Sequence, residues 1–172
     1  MKLTLDIENT VTKRDGKMHL DPFEPENSLT MIGVLTDQDV ERHFPFDHCD
    51  VPNQQHFYEQ VQWFLDEATI LICHNAAYDL MWLWESGFKY DGPVFDTMLA
   101  EYVLQRGIKE PLSLEACAER YELDTKKQDT LKEYFKQGYS TRDIPYNELC
   151  EYLSADLHAT QQLCDKQVKR LH

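Results

Sequence analysis

Residues 3–8 read Leu-Thr-Leu-Asp-Ile-Glu, with Leu3, Leu5 and Ile7 apolar and Thr4, Asp6 and Glu8 polar between them. This period of two predicts a strand with one face in a core, and it turns both carboxylates toward the opposite face. Residues 9–27 carry Asp15-Gly16, Asp21-Pro22 and Glu24-Pro25, which predict a loop or hairpin excursion. The run from Ser28 to Thr36 predicts a second strand, and the Asp37-Gln38-Asp39 cluster turns the chain toward a short third one around Arg42 to Phe46. Between Gln54 and Glu67, Phe57, Val61, Phe64 and Leu65 recur at helical spacing, so an amphipathic helix is expected to cross the sheet there. Ile70 to Cys73 follows as a short apolar strand, and its place after a crossover predicts parallel pairing with the first.

Asn75 stands where the next helix begins, and Tyr78 to Trp84 continues it to a stop near Ser86-Gly87. Pro93 to Phe95 is the last predicted strand, ending in Asp96, with a helix over Thr97 to Leu104. Ser113 as cap and Glu115 in the first turn start a helix that reaches Tyr121. Residues 122–144 are charged and contain Gly138, so a mobile segment with a short helix near Leu131 to Phe135 is expected. Pro145 then opens a final helix to Arg170. Strands first, then helix and strand in alternation, then helices, predict an α/β fold with a mixed central sheet of about five strands flanked by helices. A length of 172 residues suits one domain spanning 1–172.

Composition narrows the class. A hydrophobic share of 42% and a charged share of 28% are the balance of a packed globular chain, and no apolar run is long enough to span a bilayer. Residues 1–8 lack the apolar stretch and small-residue cleavage site of a secretory signal, so a cytoplasmic location with no membrane partner is expected. Cys49, Cys73, Cys117, Cys150 and Cys164 form no C-x-x-C pair and read as reduced thiols. Cys49 lies near His43, His48 and His56, but those spacings match no common zinc site and a polar loop is expected. The net charge of −14 excludes a broad basic surface for gripping duplex nucleic acid, while leaving room for a strand end held by metal ions and local contacts. The one locally basic stretch, Lys126, Lys127, Lys132, Lys136 and Arg142, is interspersed with Asp124, Asp129, Glu133 and Asp143; it reads as a phosphate track or as a solvated face.

Candidate chemistry lies in three short pieces far apart in sequence: Asp6-Ile7-Glu8, Asn75 to Asp79, and Tyr152 to Asp156. A one-residue gap on a strand aims Asp6 and Glu8 at one point, and the four-residue step on a helix aligns Asn75 with Asp79 and Tyr152 with Asp156. If the fold draws the four acids together, they repel one another and raise their own pKa values unless divalent cations neutralise them.

Taken in order, these pieces resemble the three motifs of the DEDD superfamily of 3'-5' exonucleases, a ribonuclease H-like group that includes polymerase proofreading domains. The resemblance covers nearly the whole chain. Its most specific text, Phe95 to Leu104 followed by Ser113-Leu114 and Ala118 to Tyr121, is closest to the proofreading exonuclease domain of family A DNA polymerases. The resemblance implies that Asp6, Glu8, Asp79 and Asp156 bind two divalent cations, Mg²⁺ or alternatively Mn²⁺, with Asp79 reaching the second ion largely through water. It makes Tyr152 the residue that orients the attacking water. With Tyr152 four residues before Asp156 and Glu151 rather than His five before it, the chain resembles the tyrosine subtype.

The same resemblance implies that Thr10, Val11 and Asn75 contact the substrate, with a plain helix cap as the other reading of Asn75. Asp96 is expected to hold a helix start rather than a metal, His158 to be an ordinary helix-surface residue, and His74 to have no assigned role. Tyr134, Phe135 and Tyr139 read either as base-stacking residues or as packing of the small helix. The function implied is hydrolysis of single-stranded or frayed DNA 3' ends to nucleoside monophosphates in replication proofreading. The expected partners are a single-stranded DNA 3' end and a separate DNA polymerase subunit, with the chain a monomer on its own. Met1 lies five residues before Asp6, which suits a separately encoded subunit, and an excerpt of a larger polymerase is the competing reading. A ribonuclease D-like RNA 3'-end exonuclease and a catalytically idle polymerase-binding module are the alternative functions.

Overall fold

The computed structural model describes residues 1–123 and 129–171, apart from the side chains of Asp129 and Thr130. Its elements in chain order are β1 (Lys2–Asn9), β2 (Thr12–Arg14), β3 (Lys17–His19), β4 (Leu29–Thr36), β5 (Glu41–Pro45), α1 (Gln55–Glu67), β6 (Ile70–Cys73), α2 (Ala76–Glu85), β7 (Val94–Asp96), α3 (Thr97–Leu104), α4 (Leu114–Arg120), α5 (Asp129–Lys136) and α6 (Tyr146–Leu171). Five strands form one mixed sheet in the order β5-β4-β1-β6-β7. β1 and β4 pair antiparallel, as do β4 and β5, whereas β6 runs parallel to both β1 and β7. The predicted α/β architecture is therefore the one observed, a ribonuclease H-like sheet with helices on both faces. The loop or hairpin expected within 9–27 is a hairpin, β2–β3, outside the main sheet.

Leu3, Leu5 and Ile7 point into an apolar layer with Ile32, Val34, Val61, Phe64, Leu65, Trp82 and Leu83, beneath α1 and α2. On the opposite face Met31 and Leu35 of β4 meet Leu131 of α5, Ile144, and Leu149, Leu153 and Leu157 of α6. Every residue of β4 is buried, which is why its sequence is a continuous apolar run rather than an alternation. β1 differs because the face it turns toward α6 carries Thr4, Asp6 and Glu8 instead of leucines. The sheet thus has an apolar seam under α6 that gives way to carboxylates along one strand.

The far half of α6 is tied down by a buried carboxylate with no warning in the sequence. Glu101 of α3 is 1% exposed and accepts hydrogen bonds from Arg120 Nη1 at 2.8 Å, the Tyr121 hydroxyl at 2.7 Å and Gln167 Nε2 at 3.1 Å. That junction fixes α3, the end of α4 and α6 against one another. Of the basic stretch, Lys132, Lys136 and Arg142 are described; Asp124, Lys126 and Lys127 lie outside the described residues. Among the described residues no helix is long and apolar enough to cross a membrane. Replacing Arg120 with Ala leaves Glu101 buried with neutral donors only, and should lower unfolding free energy by about 3 kcal/mol in urea titrations. A loss within about 0.5 kcal/mol, the range of an ordinary surface substitution, would contradict a structural role for the junction.

Candidate metal centre

Three elements converge at the carboxyl end of β1. Asp6 and Glu8 project from it toward α6, which crosses the sheet with Tyr152 and Asp156 on its facing side. Carboxylate oxygens of Asp6, Glu8 and Asp156 lie within 4.8 Å of one another, and all three side chains are half-buried. This is the one such group among the described residues. Tyr152 hydrogen-bonds to Asp156 across one helical turn. Asp79, in the first turn of α2, stands outside the three-oxygen group; it is 3% exposed, and its Oδ2 is buried without a hydrogen-bond partner.

Asp79 is held in place by a neighbour. Asn75 occupies the N-cap position of α2 in the left-handed region, with φ 73°, and its side chain makes no capping bond. The plain-cap reading of Asn75, the alternative to a substrate contact, is therefore corrected: the cap comes from Asp96. Its carboxylate accepts from Asn75 N at 3.0 Å and Ala76 N at 2.9 Å, and also from Met98 N at 2.9 Å and Leu99 N at 3.3 Å. One side chain thus caps both α2 and α3, which satisfies otherwise orphaned N–H groups at two helix starts. Cross-strand pairing of Asp96 with Cys73 puts it within reach of both.

The electrostatics follow from crowding acids where water is scarce. Burial raises the Asp6 pKa to about 6, against a lowering hydrogen bond from the backbone of Ile7. Glu8 is pushed well above the usual carboxylate range by burial, then by Asp6, Asp156 and Asp79. Burial and then Asp6 raise Asp156 to about 8, opposed by the Tyr152 hydroxyl. Asp79 is likewise raised well above its ordinary value, by burial and then Asp6, while the Cys73 thiol works the other way. Burial and the neighbouring carboxylates drive the Tyr152 phenol far above its ordinary value. Clustered hard oxygens with raised proton affinity fit a divalent cation such as Mg²⁺, which replaces the protons that otherwise neutralise them.

Thr10 and Val11 lie just beyond Glu8. The Thr10 hydroxyl accepts from Ser28 N at 2.7 Å, and both residues line an open cleft of about 530 Å³ together with Lys13, Ser140 and Arg142. Tyr134 packs edge-on against Tyr139 and bonds to Glu148, whereas Phe135 stays exposed. The polar loop expected for the Cys49 and histidine grouping holds only Cys49 and His48, since His43 lies in β5 and His56 in α1; His48 Nε2 bonds to the Ile144 carbonyl, its Nδ1 accepts from Asp50 N, and the Cys49 thiol donates to Asp143. His158 is not the plain surface residue expected, since its Nε2 meets Glu41 Oε2 at 2.9 Å and ties α6 to β5. His74, expected to have no assigned role, bridges Thr97 Oγ1 and the Leu112 carbonyl at 2.8 and 2.9 Å.

A raised carboxylate pKa means that the folded state holds protons the unfolded chain has released. Stability therefore falls as pH rises from the ordinary carboxylate range, about 4, through the folded values near 6 and 8. Thermal melts of the metal-free protein should drop in midpoint between about pH 5 and 8. Mg²⁺ or Mn²⁺ should reverse the drop, and Asp156→Asn should flatten it. A wild-type profile identical to that of Asp156→Asn would contradict this electrostatic picture.

Comparison with known proteins places the chain. Residues 18–172 match a family model described as 3'-5' exonuclease, of the DNA polymerase A type. The match begins after Asp6 and Glu8, so the structure is what joins them to the rest. No curated protein sequence matches significantly. Solved structures with a similar fold include Brucella melitensis NrnC with bound Mg²⁺, at 18% identity and TM-score 0.66 over 99% of this chain and 73% of that one. The same protein bound to pGG aligns at 19% identity and TM-score 0.66 over 99% and 72%. A family B DNA polymerase from the hyperthermophilic archaeon Pyrobaculum calidifontis aligns at 17% identity and TM-score 0.62, over 96% of this chain and 24% of the polymerase. With nine-tenths of its length matched by the family model and the fold shared, the chain belongs to the 3'-5' exonuclease family.

Proposed function

We propose that this protein is a metal-dependent exonuclease that removes nucleoside monophosphates from single-stranded or frayed DNA 3' ends, proofreading for a DNA polymerase that it meets as a separate partner. The observation that carries this reading is the meeting of Asp6, Glu8 and Asp156 beside Tyr152 in a chain of this family. Asp6, Glu8 and Asp156 would hold two divalent ions, Mg²⁺ or Mn²⁺, with Asp79 behind them. When bound there, such ions would supply acidification of a water and charge relief at the scissile phosphate.

Tyr152 stays protonated at neutral pH, since its pKa is raised, so it is not a base. Its O–H is engaged with Asp156, and its oxygen retains lone pairs that can accept a hydrogen bond from the attacking water and fix its line of approach. Thr10, Val11 and Asn75 border the path of the terminal nucleotide. A net charge of −14 opposes the long-range approach of a strand, which is why a polymerase partner that delivers the 3' end suits this chain.

A second reading, cleavage of short RNA, is favoured by the fold-level likeness to NrnC bound to pGG, which extends over nearly all of this chain. Incubation of matched 5'-labelled DNA and RNA strands with Mg²⁺ separates the two. Stepwise shortening of DNA, faster than of RNA, is expected; RNA-only cleavage would move the assignment to the second reading. Asp6→Asn should abolish cleavage in a folded protein, and Tyr152→Phe should slow it by on the order of tenfold to a thousandfold with metal binding kept. Full activity in Asp6→Asn would end the proposal.

A further inference from the structure

Gly33 sits directly across from Asp6 in the antiparallel pairing of β1 and β4, so the two residues share the sheet face under α6. A Cβ built at Gly33 would lie 2.7 Å from Leu153 Cγ, 2.8 Å from Leu153 Cδ2 and 2.9 Å from Leu157 Cδ1, where ordinary contact begins at 3.4 Å. Its backbone needs no glycine, since it is an ordinary β-strand position outside the set with positive φ. The need is for close approach of a helix. Leu153 immediately follows Tyr152 and Leu157 immediately follows Asp156, so the side chains resting on Gly33 neighbour the two of α6 that reach the carboxylate cluster.

We infer that Gly33 is a positioning residue, whose missing side chain sets the depth of α6 over β1 and thereby the gap from Tyr152 and Asp156 to Asp6 and Glu8. This rests on the exonuclease reading above for its catalytic consequence, but not for its geometry. Leu153 and Leu157 are fully buried among Met31, Leu35, Leu131, Ile144 and Leu149. With no room to swing aside, they would transmit the strain of an added methyl to the helix as a whole. Restoring normal carbon–carbon contact requires an outward displacement of roughly 1 Å. That is a large fraction of a site whose three ligand oxygens lie within 4.8 Å of one another. Misplacement on this scale costs up to about a hundredfold in rate.

The test is a double-mutant cycle read by Mn²⁺ affinity and by turnover, on proteins verified as folded by circular dichroism. Gly33→Ala should weaken Mn²⁺ binding tenfold or more and slow cleavage about a hundredfold. Leu153→Ala, which opens space without lifting the helix, should keep Mn²⁺ affinity within threefold of wild type. In Gly33→Ala/Leu153→Ala the space vacated by Leu153 takes up the added methyl and lets the Leu157 Cδ1 methyl, 2.9 Å from it, turn aside, so affinity should return to within threefold of Leu153→Ala. A merely destabilising role for Gly33→Ala would lower the melting temperature without moving Mn²⁺ affinity in the folded protein, and that result overturns the inference. If Gly33→Ala does not fold, the double variant decides alone: tenfold weaker Mn²⁺ binding than Leu153→Ala would overturn it. Wild type that binds Mn²⁺ at the Asp6 site but cleaves no nucleic acid would sink the exonuclease reading and leave the positioning role standing.

Discussion

Carboxylates whose oxygens lie within 4.8 Å of one another repel, and they are kept together at Asp6, Glu8 and Asp156 by packing that has nowhere else to go. β1 is pinned between an antiparallel and a parallel neighbour, so its polar face cannot turn away. α6 is pressed onto that face by the leucine seam over β4 and by the Glu101 junction at its far end. The stability of those contacts offsets the cost of the crowded acids, which is expressed as raised proton affinity. The same affinity makes the cluster a trap for a hard divalent ion.

Division of labour among the acids follows from what each touches. Asp6 and Glu8 ride on the strand and Asp156 on the long helix, so their separation is set by how closely helix and sheet approach. Asp79 depends on the start of α2, which is fixed by Asp96 from the neighbouring strand end. Asp96 lies in the stretch on which the resemblance in sequence chiefly rests, yet its carboxylate contacts backbone N–H groups at two helix starts. A residue can be prominent in a motif because it places a helix.

Much of this was legible in the sequence because it depends on local periodicity. The alternation of residues 3–8, the unbroken apolar run of β4, the helical spacing over 54–67 and the start of α6 after Pro145 each reflect contacts that repeat along one element. The i, i+4 step from Tyr152 to Asp156 likewise put both on one side of a helix. What was not legible depends on partners far along the chain. Glu101 reads as one more acid in an amphipathic helix until Arg120, Tyr121 and Gln167 close around it. His158 reads as a surface residue until β5 brings Glu41 alongside. Asn75 has the residue type of a cap, but its left-handed backbone leaves capping to Asp96, twenty-one residues on. Gly33 inside a strand reads only as a weak strand former; its use is visible once α6 lies on top of it.

Anomalous scattering from crystals grown with Mn²⁺ tests most directly whether Asp6, Glu8 and Asp156 build one divalent-cation centre. Manganese is expected within about 2.2 Å of oxygens from those three side chains, with Tyr152 alongside. Manganese bound elsewhere on the molecule, with the three carboxylates unoccupied at saturating ion, would contradict it.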